Sequence, residues 1–145
     1  MRLTVDTNVI FAALYNQKGA SAFIFDLFAS RKVTFSLSVP TFLEYQDVLQ
    51  REQLRERIGL DADEMKAILR FIAYQAEQFD INFLWRPNLR DEADNMFVEL
   101  AIQSQSQFLI TSNLRDFTRD HNLQFDDLNI VTPKQFVQYW RTYHE

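Results

Sequence analysis

Short strand-like runs separated by longer amphipathic stretches constrain this chain more than any other feature. Leu3-Thr4-Val5 is a short apolar run, and Val33-Thr34-Phe35-Ser36-Leu37-Ser38 alternates apolar and small polar residues. Phe108-Leu109-Ile110 is continuously apolar, and Ile130-Val131 reads as a last short strand. Period-two alternation marks a strand, and a short unbroken apolar run marks one buried on both faces. Between these runs the period changes. Across 61–78, Met65, Ile68, Leu69, Ile72 and Ala76, continued by Phe79, follow the i, i+3, i+4, i+7 spacing of a helix with one buried stripe. Further helices are expected from near Asn8, over 20–29, from Pro40, over 92–104 and over 133–143. Pro40 suits a first helical turn, where its missing N–H costs little. The charged stretch 51–57 and Gly59 read as a separator, and 81–84 as a strand or an extended segment. Strands alternating with helices imply an α/β protein whose parallel sheet is covered on both faces.

The 145 residues suit one domain, 1–145, able to bury roughly two-thirds of its unfolded surface. With 47% hydrophobic and 24% charged residues and only two Gly and three Pro, the chain is globular. No cysteine is present, which excludes disulfides, thiolate zinc sites and cysteine nucleophiles. No apolar run approaches the roughly 20 residues needed to span a bilayer, and Asp6 precedes the apolar stretch 9–14 where a signal peptide would be basic. A cytoplasmic protein without membrane attachment is expected. The net charge of −5 argues against a passive nucleic-acid module, which is normally basic. It argues less against a nuclease, because divalent metal ions neutralise a clustered acidic centre.

Asp6-Thr7-Asn8 follows the first strand, at the edge where open α/β sheets build ligand sites. A carboxylate there is a candidate metal ligand, with Thr7 and Asn8 available to orient it. Glu44 falls in the first turns of the helix after the second strand, where it could equally be a solvated residue favoured by the helix dipole. Asp94 shares a helical face with Phe97, Val98 and Ala101, so a carboxylate stands where the pattern reserves an apolar residue. Asp91 fits the N-cap of that helix, with Asp94 as its third residue. Asn113 and Asp116 follow the strand ending near Thr111, in a loop that also suits ordinary turn residues. Four acids at one edge repel each other unless a cation compensates, and oxygen donors suit Mg²⁺ or Mn²⁺. Such a centre performs metal-assisted phosphodiester hydrolysis.

Asp6-Thr7-Asn8-Val9-Ile10, the segments 40–44 and 91–101, and Thr111-Ser112-Asn113-Leu114-Arg115-Asp116-Phe117 resemble, in order, the successive motifs of PIN-domain ribonucleases. The resemblance extends over nearly the whole chain and is nearest to the VapC-like branch, the toxins of type II toxin–antitoxin pairs. It implies a three-layer α/β/α fold with a central parallel sheet of about five strands. It implies an Mg²⁺- or Mn²⁺-dependent endoribonuclease with Asp6, Glu44, Asp94 and Asp116 as its acidic centre, the metal held by Asp6, Asp94 and Asp116. Thr7, Asn8, Thr111 and Asn113 match positions that support those acids, and Asp91 is a secondary participant. Relatives often carry an acid where Asn113 stands, which leaves open whether position 113 or 116 lies nearer the metal. The resemblance also implies RNA as substrate, a homodimer and a small antitoxin partner.

Other residues were weighed against blander roles. Arg31, Lys32, Arg51, Arg55 and Arg57 could line an RNA path, but Glu52 and Glu56 among them suggest a salt-bridged helix face. Arg115 is a candidate phosphate contact. His121 and His144 have no partner at metal-ligand spacing, and Trp85 and Trp140 are expected to be packing residues. A haloacid-dehalogenase-like phosphatase needs an aspartate where Asn8 stands, and a receiver domain needs adjacent acids that are missing beside the first strand. Two alternatives to the toxin nuclease stay open: an inactive PIN-like module acting through a protein partner, and a housekeeping RNA-processing nuclease.

Overall fold

The computed structural model describes residues 1–81, 92–114 and 128–144, with the side chains of 92–94 outside that description. Five strands form one sheet: β1 (Arg2–Val5), β2 (Thr34–Leu37), β3 (Glu77–Gln78), β4 (Phe108–Ile110) and β5 (Asn129–Val131). All neighbours pair in parallel, in the order β3-β2-β1-β4-β5. Among the described residues seven helices cover the sheet: α1 (Thr7–Tyr15), α2 (Ala20–Ala29), α3 (Val39–Leu49), α4 (Glu52–Ile58), α5 (Ala62–Gln75), α6 (Glu92–Gln103) and α7 (Pro133–His144). The result is the expected three-layer α/β/α architecture.

Register explains the layers. Leu3 of β1 lies opposite Phe35 of β2 and Phe108 of β4, so these three side chains share one face. On that face Phe28 of α2 stacks on Phe35 at 4.0 Å, and Phe136 of α7 meets Phe108 edge-on at 5.5 Å. Thr4 and Ser36 point the other way, where the Ser106 hydroxyl contacts both and also Ser104 at the end of α6. Tyr45 of α3 packs against Phe97 of α6 at 5.8 Å. Buried hydroxyls that satisfy one another are tolerable in such an interior, whereas a lone one is costly.

The strand order has a consequence for function. From β1 the chain first adds β2 and β3 on one side, then β4 and β5 on the other. The order therefore reverses between β1 and β4, and a crevice opens at the carboxyl ends of those two strands. Asp6 leaves β1 at that point, and Thr111 leaves β4 beside it.

Two elements differ from the sequence expectation. The stretch 51–57 is no mere separator, because α4 runs over Glu52–Ile58 and ends on Gly59 at φ 89°. That left-handed conformation suits glycine, which carries no Cβ to clash. The long helix is also shorter than its stripe suggested. Asp61 caps α5 through a capping box with Glu64, the helix stops at Gln75, and Glu77–Gln78 become β3. Phe79 consequently lies beyond the helix, with its amide bonded to the Leu37 carbonyl and Arg2 above its ring. Of the residues in doubt at 81–84, those from 82 onward lie outside the described residues. No described helix is long and apolar enough to cross a membrane.

Candidate active site

Asp6 is placed by the backbone before its side chain does anything. Its amide donates to the Ile110 carbonyl at 2.9 Å, continuing the β1–β4 ladder by one residue. It is then the N-cap of α1, with Oδ1 accepting the Thr7 amide at 2.8 Å. Aspartate suits this position, since its short side chain reaches an otherwise unsatisfied amide and its charge favours the helix N-terminus. Oδ2 accepts the Thr111 hydroxyl at 2.7 Å and the Asn8 side-chain amide at 3.1 Å. The carboxylate is only 6% exposed, and these three neutral donors fix its plane.

The donors are themselves held. Thr111, fully buried, accepts the Asn113 amide on the same hydroxyl that binds Asp6, at 3.0 Å. Asn8 accepts the Ser112 amide at 3.3 Å. Thr7, Asn8, Thr111 and Asn113 thus join Asp6 in one hydrogen-bonded network at the β1–β4 crevice. The Thr7 hydroxyl is buried with no hydrogen-bond partner among the described residues. An orphaned oxygen on the residue following a buried carboxylate fits a bound water or another ligand.

Glu44 comes from α3, half-buried in its first turns. Ser38 starts that helix through a capping box with Thr41, and Pro40 lies within the first turn. The next residue, Tyr45, is buried, and its hydroxyl donates to the carbonyl of Val5, the residue before Asp6. Burial pushes the Tyr45 pKa well above the ordinary tyrosine value, and the Asp6 charge adds to the shift. Tyr45 therefore stays protonated and acts as a fixed donor joining α3 to the end of β1. Nothing in its local sequence separates it from an aromatic that only packs.

Helix α6 carries Asp94 on its backbone, but the Asp94 side chain, Asp91, Arg115 and Asp116 lie outside the described residues. Among the described residues, no three His, Cys, Asp or Glu are placed to hold a metal ion together. Of the four expected acids, the described side chains are those of Asp6, at the β1–β4 crevice, and Glu44, which precedes Tyr45 on α3. Two buried polar residues of α6 escaped the sequence reading, Asn95 at 6% and Glu99 at 7% exposure. They are spaced by one turn, the signal that could have singled them out. Neither Trp140 nor His144 contributes to the site: Trp140 is in the core and His144 stacks on its ring at 3.9 Å. Of the basic residues weighed, Arg51 pairs with Asp47, Arg55 donates to the Gln50 carbonyl, and Arg57 lies over the rings of Phe11 and Tyr15.

Comparison with known proteins gives three findings. A family model described as PIN domain matches residues 2–115. An uncharacterized protein of Methanocaldococcus jannaschii, MJ1680, is 26% identical over 148 residues, spanning 95% of this chain and 90% of the relative. The structure of VapBC2 from Rickettsia felis, bound to a DNA fragment from their promoter, superimposes with a TM-score of 0.62 at 17% identity. That match covers 91% of this chain and 98% of the other, a likeness of fold.

Proposed function

The chain belongs to the PIN domain family, whose members are generally nucleases, and from that premise we propose that it is an Mg²⁺- or Mn²⁺-dependent endoribonuclease. The observation that carries the reading is the buried Asp6 carboxylate at the β1–β4 crevice, oriented by Thr7, Asn8 and Thr111. Its donor set fits a hard divalent cation: carboxylate oxygens, with the orphaned Thr7 hydroxyl on the next residue.

In this reading Asp6, Asp94 and Asp116 hold the ion and Glu44 completes the acidic centre. The ion, when bound, neutralises charge developing on the scissile phosphate and activates a water. The chain's own part is orientation. Thr111 and Asn8 lock one oxygen of Asp6 and the Thr7 amide locks the other, so no side-chain rotation is needed as substrate arrives. Asn113 secures Thr111, and the reading assigns Asp91 a supporting role and Arg115 a phosphate contact. The hydroxyl of Tyr45 holds the Val5 carbonyl and with it the direction in which the chain enters Asp6.

The test is cleavage of a structured RNA by purified protein with Mn²⁺, with EDTA, and by the Asp6→Asn variant. Cleavage only by the wild type with Mn²⁺ is the expected result. Cleavage indifferent to both changes, or absent throughout, refutes it. The VapBC2 complex to which the fold is alike supports an antitoxin partner, and the reading extends to a toxin held by a small antitoxin, acting in the cytoplasm and paired with a second copy of itself. Expression of the wild type alone should then arrest growth, and Asp94→Asn should not. Unimpeded growth would favour an RNA-processing role.

A further inference from the structure

Two cavities lie side by side where the N-terminal ends of α2 and α7 meet. The inner one, of about 330 Å³, is bordered by Asn16, Ser112 and Thr132. The outer one, of about 410 Å³, is walled by Lys18, Lys134 and Arg141. Gly19, Ala20 and Lys134 border both, so the two form one groove. Its inner end is two hydrogen bonds from the candidate site: the Ser112 amide donates to Asn8, and Asn8 donates to Asp6.

The outer end is cationic in a chain whose net charge is −5. Lys18, Lys134 and Arg141 are exposed, and none forms an ion pair among the described residues, although Asp26 also borders this end. The Arg141 guanidinium is steadied over the Phe23 ring, 5.4 Å from its centroid, which leaves its N–H groups to bind elsewhere. A polyanion is repelled by most of an acidic surface, so a local strip of cations decides where it can lie. A strand cut at Asp6 must also continue past Asp6, and this groove begins nearby, at Ser112.

We infer that the groove carries the sugar–phosphate backbone of the RNA strand away from the Asp6 centre, with Lys18, Lys134 and Arg141 contacting its phosphates. The inference rests on the nuclease reading. Continuity with the site favours RNA over an acidic polypeptide, whose docking would have no reason to begin at Ser112.

Three proteins test it: the wild type, the Lys18→Gln/Lys134→Gln variant, and the triple variant that adds Arg141→Gln. The double variant keeps the Arg141–Phe23 contact and so guards against a folding artefact. Binding of a labelled, 2′-O-methylated single-stranded RNA long enough to follow the groove is titrated by anisotropy over a range of KCl concentrations. At about 0.7 of a unit of log–log salt slope per phosphate contact on single strands, the slope should fall by about 1.4 in the double variant and about 2 in the triple. The same rule weakens binding by the triple variant about 100-fold at 0.1 M salt. A fall of less than about one unit in the double variant overturns the inference, as does failure of the wild type to bind RNA. Cleavage of an oligonucleotide too short to enter either cavity, and so out of reach of all three cations, should be unchanged in both variants. An unaltered slope with that cleavage intact refutes the groove alone, whereas no cleavage even by the wild type refutes the nuclease reading beneath it. Loss of poly-glutamate binding with an unaltered RNA slope would make this a peptide site and also overturn the inference.

Discussion

Tyr45→Phe should separate a hydrogen bond from a proton. The substitution removes one hydroxyl and leaves the ring against Phe97, so no cavity opens. What is lost is the donor to the Val5 carbonyl, and a buried acceptor without its partner costs about 1–3 kcal/mol. For a chain of this length that lowers the melting midpoint by roughly 3–10 °C near neutral pH. The pH dependence then runs against the variant's handicap. The tyrosine pKa in the folded protein lies above the unfolded value of about 10, so the bond's contribution is complete below pH 10. Above it the unfolded chain releases a proton that the folded chain keeps, and stability is lost as pH rises. Each further pH unit removes about 1.4 kcal/mol from the wild type and nothing from the variant at this position. Urea unfolding of both proteins at several pH values measures the difference directly, and the other titrating groups cancel in it. The difference should be constant to about pH 9.5 and shrink by about 1.4 kcal/mol by about pH 11. A difference that stays flat through that interval would show that Tyr45 is not held neutral by its surroundings, and the anchor described here would be wrong.

Thr111→Val keeps the shape of a fully buried side chain but deletes the 2.7 Å donor to Asp6, so RNA cleavage should fall about 10–100-fold in kcat/KM with the fold retained by circular dichroism. Phe28→Ala empties the space between α2 and β2 where the ring stacks on Phe35, and should lower the urea-unfolding free energy by about 3–5 kcal/mol. Ser106→Ala removes the common partner of the Thr4, Ser36 and Ser104 hydroxyls, and a loss of about 1–3 kcal/mol by the same measurement is expected. An unchanged midpoint for Ser106→Ala would mean that water replaces the missing hydroxyl.

The parts of this fold that announce themselves in sequence are those where one face is buried. β1 and β4 carry apolar runs and β2 an alternation of apolar and small residues because they are central, and α3 and α7 carry stripes because each packs on the interior. β3 has neither: Glu77 and Gln78 are both exposed, and the strand exists only because β2 offers an open edge. With no glycine or proline at 76–79 to stop it, the helical pattern simply runs on. α4 has no fully buried residue; its apolar Leu54 and Ile58 are half-buried one turn apart, so its stripe is too short, and too surrounded by charge, to stand out. The site divides along the same line. Asp6 was legible because it breaks polarity at the end of an apolar strand. Tyr45 was not, since an aromatic on a buried stripe looks the same whether or not its hydroxyl has a task. Glu99 and Asn95 were obscured by Phe97, Val98, Leu100 and Ala101 around them, a run whose apolar weight conceals two polar residues spaced by one turn.

Asp6 is over-determined by groups remote in sequence. Thr111 lies 105 residues away, Tyr45 bonds the preceding carbonyl from 40 residues away, and the Ile110 carbonyl holds the amide from the neighbouring strand. Of these restraints, only those from Thr7 and Asn8 are local, and a helix cap by itself frays readily. The carboxylate therefore acquires its fixed orientation when β1 is zipped to β4 and α3 is seated, and not before. A partly folded chain has Asp6 in solvent, free to rotate and unable to present a set oxygen to a cation. Sheet closure and ordering of the Asp6 carboxylate are consequently one event, and the central strand pair supplies that orientation as well as stability. Variants that loosen the β1–β4 seam, such as Thr111→Val, should lose orientation of Asp6 before they lose the fold. An edge change at Glu77, whose ion pair with Arg2 is exposed, should affect neither.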